Sequence, residues 1–124
     1  MSKNISPHVT IYKFPVTAIS SIAIRLSGLY LTGLFTIGGI VKLMGHEKLL
    51  YEKYSNLSSN KKQALHYSVI FPLSYHTFGG IRHFIWDKFP KLLTKNSAGR
   101  SSYILFAMTT ASSIAVEKYC AKNI

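Results

Sequence analysis

Between Thr17 and Met44 the chain carries no acidic residue, and Arg25 is its sole cation before Lys42. At about 1.5 Å of rise per helical residue, this stretch outreaches a hydrocarbon core of about 30 Å. From Leu29 to Val41 every side chain is apolar or small. A soluble helix needs a polar stripe for water, and this segment has none. Ser20, Ser21, Ser27, Gly28, Gly33, Gly38 and Gly39 recur along it. Glycine at that density weakens a soluble helix but lets membrane helices approach closely. The run therefore predicts a membrane helix over about 17–44.

Two further apolar runs follow. The second covers about 64–86 and contains Pro72, which is expected to kink the helix and free a backbone carbonyl. The third covers about 101–119, its short apolar stretch lengthened by amphipathic ends. The charge lies in the gaps: Lys48, Lys53, Lys61 and Lys62 in one, Lys88, Lys91, Lys95 and Arg100 in the other. The first gap reads as a polar connection whose "NLSSN" is a loop, with Ser58 or Ser59 placed to cap the next helix. No repeat or internal boundary is visible. The expected architecture is all-α: residues 1–124 as one membrane-anchor domain of three transmembrane helices.

The net charge of +11 rests on only four acidic residues, Glu47, Glu52, Asp87 and Glu117. Cations that flank apolar runs mark membrane interfaces, whereas a nucleic-acid surface would gather them on one face. They do not orient the chain, since six fall on one side and seven on the other. A single cysteine, Cys120, excludes an internal disulfide and a cysteine-based metal site. The opening "MSKNISPHVTIYKF" lacks both the apolar core of a signal peptide and the composition of a transit segment. It reads as a processed chain or one made without a presequence. Within it, "HVTIYKF" suits an extended segment docked on a soluble partner, or a tail lying at the interface.

Ionisable groups inside a membrane cost several kcal/mol unless paired or turned inward. Arg25, His76, Arg82 and His83 are the candidates; His66 starts the second span, near headgroup level. His76 lies deepest, one turn after Pro72. It needs either a metal or haem iron, or a buried hydrogen bond to a serine or carbonyl of another helix. Gly79 and Gly80 are expected on its face, leaving room for a flat macrocycle, and His83 lies two turns on, near haem propionates. Arg82, on a different face, reads as a propionate or subunit contact or as a snorkelling arginine. Ser21 and Arg25, four apart, share a face. Together they suit a hydrogen-bonded carbonyl oxygen that gains negative charge, as in a quinone being reduced. An Arg25 that only reaches the headgroups is the alternative.

"SPHVTIYKF" (6–14), "SSIAIRLSG" (20–28) and "YHTFGGIRHFIWD" (75–87) resemble, in order and spacing, the cytochrome b subunit of succinate dehydrogenase, the membrane anchor of respiratory complex II. The resemblance implies three transmembrane helices forming half of a heterodimeric bundle with a second small anchor subunit, and an extended N-terminal segment. It implies iron–sulfur and flavoprotein partner subunits, with electrons from succinate passing to ubiquinone. Haem b would be shared with the partner anchor, His76 being one axial ligand, and His83 and Arg82 lying near the propionates. Ser21 and Arg25 would bind the quinone. No catalytic residue for succinate oxidation is implied, so the chain alone should have no activity. The membrane would be the mitochondrial inner membrane, or a bacterial inner membrane, with the N-terminus on the matrix or cytoplasmic side. One position departs from the family pattern: its usual histidine before Arg25 is Ile24. The alternatives are a quinol:fumarate reductase anchor and a haem-less, purely structural anchor.

Overall fold

The structure, a computed structural model, describes residues 14–123. It is all-helical: α1 (Val16–Leu43), α2 (Glu47–Ser55), α3 (Ser59–Lys88) and α4 (Lys95–Asn123), with a 3₁₀ turn at Pro90–Leu92. Most of "SPHVTIYKF" lies outside the described residues. α1 coincides with the expected first helix to within a residue at each end, while α3 and α4 start five or six residues early. Among the described residues α1 alone combines the length and composition of a membrane-crossing helix. α3 and α4 have the length, but His76, Arg82 and His83 in one, and Arg100 and Glu117 in the other, break their apolar runs.

Local chemistry explains the helix ends. α1 stops where Gly45 enters the left-handed region at φ 71°, the conformation glycine adopts without a Cβ penalty. The Gly45 and His46 amides then bond to the Lys42 and Val41 carbonyls at 3.0 and 3.1 Å, a Schellman closure. α4 starts where the Thr94 hydroxyl accepts the Ser97 amide at 3.2 Å. Ser58 occupies the cap position of α3 in extended conformation, without a side-chain cap bond. α3 continues through Pro72 as one helix.

The polar gap after α1 is not all loop. Nine of its residues form α2, with Glu47 in the first turn and Lys53 in the last, both favourable to the helix dipole. α2 buries no residue, and its Leu49, Leu50 and Tyr51 are exposed.

The packing is inside-out. Among the described residues the buried large apolar side chains are Ile24, Leu31, Tyr75 and Leu105. The buried polar ones are more numerous: Ser20, Ser27, Ser102, Thr109, Ser113 and Glu117. Leu29, Phe35, Ile37, Phe84 and Tyr103 are exposed. In water this arrangement would forfeit the hydrophobic drive to fold. In lipid it is the expected one, since small and polar residues join the helices and apolar ones face the tails.

Candidate functional site

Two adjacent stripes of α1 organise the site. Ser20, Ile24, Ser27 and Leu31, at helical spacings of four, three and four, are its buried residues. One position on at each step lie Ser21, Arg25, Gly28 and Thr32, a second stripe beside the first.

His76 of α3 lies across the second stripe at Gly28. A Cβ on Gly28 would sit 2.6 Å from His76 Cε1 and 3.1 Å from Nδ1, so any side chain there requires the ring to shift from this seat. The ring's Nδ1 faces α1, 3.1 Å from the Ile24 carbonyl oxygen and 3.4 Å from Ser27 Oγ. With Nδ1–H donated to that carbonyl, the tautomer leaves Nε2 with its lone pair, and Nε2 has no hydrogen-bond partner among the described residues. The residue as a whole is exposed. The bond to a carbonyl of another helix that the sequence left as an alternative is thus present, and it leaves the ligating nitrogen unused.

The two glycines after His76 separate. A Cβ on Gly79 would meet Ile24 at 2.7 Å, so this glycine serves packing between α1 and α3 rather than clearance beside His76. Gly80 has open space around it. His76, Gly80 and His83 follow one another at spacings of four and three on a single exposed face.

Arg25 lies about 4.5 Å and Ser21 about 10 Å from Gly28 along the helix axis. Arg25 is exposed and Ser21 half-buried, and neither side chain has a hydrogen-bond partner among the described residues. Both therefore present free donors beside the His76 face.

Arg82 is turned into the seam between the three long helices. Its terminal nitrogens donate to Ser20 Oγ at 3.1 Å and Ser102 Oγ at 3.0 Å, and its guanidinium lies 4.7 Å from the Trp86 ring centroid. The Tyr75 hydroxyl adds a bond to Ser20 Oγ at 3.1 Å. Sequence reasoning singled out neither Tyr75 nor Ser102, and read Ser20 only as a small residue. The spacing of Ser20, Ile24, Ser27 and Leu31 was the available signal, but it equally fits the stripe one residue on.

A second polar cluster ties the opposite end of the bundle. His66 Nδ1 lies 3.0 Å from a carboxylate oxygen of the buried Glu117, and its Nε2 lies 2.7 Å from the Tyr54 hydroxyl. These contacts join α3 to α4 and to α2. Glu117→Ala should lower stability by about 1–3 kcal/mol, because it leaves His66 Nδ1 without its partner at the junction of α3 and α4. Thermal unfolding of the detergent-purified protein checks this, and an unchanged midpoint would show the contact to be idle.

The sequence model described as the succinate dehydrogenase/fumarate reductase transmembrane subunit matches residues 1–116. The chain is 36 % identical over 109 residues to a mitochondrial succinate dehydrogenase cytochrome b560 subunit of Dictyostelium discoideum, covering 83 % of this chain and 55 % of that protein. The chain thus spans little more than half the length of that relative. It is 31 % identical over 119 residues to the protein of the same name from Sus scrofa, covering 91 % and 69 %. To the succinate dehydrogenase cytochrome b560 subunit of Cyanidium caldarium it is 35 % identical over 94 residues, covering 70 % and 71 %.

Proposed function

Because this chain belongs to the succinate dehydrogenase/fumarate reductase transmembrane subunit family, we propose that it is the cytochrome b anchor subunit of succinate dehydrogenase. In this reading all 124 residues form one anchor domain. α1, α3 and α4 cross the inner membrane, with the N-terminus on the matrix or cytoplasmic side. They form half of a bundle completed by a second small anchor subunit, and they hold an iron–sulfur and a flavoprotein subunit at the membrane. Electrons from succinate leave the iron–sulfur subunit for ubiquinone.

One observation carries the reading: His76 has its Nδ1 fixed on the Ile24 carbonyl and its Nε2 without a partner among the described residues, on an exposed face of α3. A ligating imidazole takes this form, with a carbonyl acceptor setting tautomer and ring orientation. The residues present fit a haem b: His76 would hold its iron from one side, Gly80 leaves the adjoining surface open, and His83 lies on the same face for a propionate. Bound there, haem supplies a one-electron store beside the quinone. The Ile24 side chain is 7 % exposed and packs on Gly79. Its carbonyl, which any residue would supply, is what serves His76.

The chain's other work is at the quinone. The Arg25 guanidinium and the Ser21 hydroxyl donate to a quinone carbonyl oxygen and stabilise the negative charge that gathers there on reduction. Arg25 lies between Ser21 and Gly28, so the quinone and haem positions adjoin along one stripe. Arg82, braced across the seam, holds Ser20, the neighbour of Ser21, against α3 and α4.

The test is a reduced-minus-oxidised optical spectrum of the detergent-purified complex. A sharp low-spin b-type band is expected, and it should vanish in His76→Ala. A featureless spectrum from a complex that still reduces quinone would make His76 a packing residue.

A further inference from the structure

The Ile24 carbonyl is crowded. As a helical carbonyl it is the normal acceptor of the Gly28 amide. The Ser27 hydroxyl also donates to it, at 2.7 Å, and His76 Nδ1 approaches it at 3.1 Å. Three donors thus converge on an oxygen with two lone pairs. Ser27 is buried, at 8 % exposed, and its Oγ lies 3.4 Å from His76 Nδ1. With its own proton on the carbonyl, Oγ is a long second acceptor for Nδ1–H, weaker than the carbonyl at 3.1 Å.

We propose that Ser27 is a positioning residue that sets the electron-donating strength of His76 by competing with it for the Ile24 carbonyl. This rests on the reading of His76 as a haem ligand. Donors that share one oxygen share its negative charge, so each bond is weaker than it would be alone. While Ser27 donates, the carbonyl pulls less on Nδ1–H, and His76 is the less basic ligand. Without the hydroxyl, the Nδ1–H bond tightens and the imidazole gains basicity, the usual effect of a stronger outer acceptor. A more basic axial ligand favours the oxidised iron.

The experiment is a redox titration of the haem band in the purified complex, comparing wild type, Ser27→Ala and Ser27→Cys. Ser27→Ala is expected to keep the band and to shift the reduction equilibrium three- to tenfold toward the oxidised form, a tenfold change being about 59 mV for one electron. Ser27→Cys, a weaker donor of similar size, should shift it less in the same direction. An unchanged or raised potential in Ser27→Ala overturns the proposal while leaving the ligand reading intact. If Ser27→Ala holds no haem, Ser27→Cys decides: a lowered potential sustains the proposal and an unshifted one overturns it. A wild-type complex without any haem band removes the ligand reading and this inference together.

Discussion

Gly28→Val should abolish the b-type band of the purified complex while the subunits stay assembled. A single Cβ at this position would already stand 2.6 Å from His76 Cε1, and valine adds two methyl groups to it. The ring must leave the Ile24 carbonyl, and with it goes the geometry that aims Nε2 outward. Helix propensity does not compete with this effect, because valine, although β-branched, is no worse a helix former than the glycine it replaces. Gly33→Val supplies the control, since nothing lies within 4 Å of the Cβ that it would carry. Spectra of the two variants decide the matter. A wild-type band in Gly28→Val would mean that the haem does not depend on the seat of His76.

Arg25→Ala should cut succinate-driven ubiquinone reduction by about 10²–10³-fold, the usual consequence of removing one preorganised donor from a developing oxyanion. Electron transfer from succinate to a soluble dye, which needs only the partner subunits, should be unaffected. Stability should change by no more than about 0.5 kcal/mol, because Arg25 is exposed and stands outside the buried stripe. Arg25→Lys restores the charge without the planar fork and should recover only part of the rate. Equal quinone rates in Arg25→Ala and wild type would move the quinone elsewhere. Equal losses of the quinone and dye activities would mean that Arg25 holds the complex together rather than the substrate.

Much of this was legible from the residues alone. Hydropathy alone delimited α1, because a run without acidic or stripe-forming polar residues is stable only where water is absent. His76 stood out as a deep ionisable group, and Ser21 and Arg25 as a pair on one face, since the helical repeat fixes which residues of a single helix are neighbours. The family resemblance rested on short motifs in the right order, and the family match over residues 1–116 agrees with it.

What the sequence by itself determined, then, was the three long helices, though not α2, together with the apolar composition of α1 and the internal order of residues along each helix. The tertiary structure decided how each helix is rotated against its neighbours. That rotation made Ser20 rather than Ser21 the buried partner of Arg82, and gave Gly79 to Ile24 while leaving Gly80 open. It also set His76 with Nδ1 on the Ile24 carbonyl, and paired His66 with Glu117 fifty-one positions away. The reason is physical: spacing along one helix is fixed by its own backbone, whereas the face it turns inward depends on the side chains of helices remote in sequence. A shift of one residue in register exchanges two adjacent stripes without altering the sequence pattern of either.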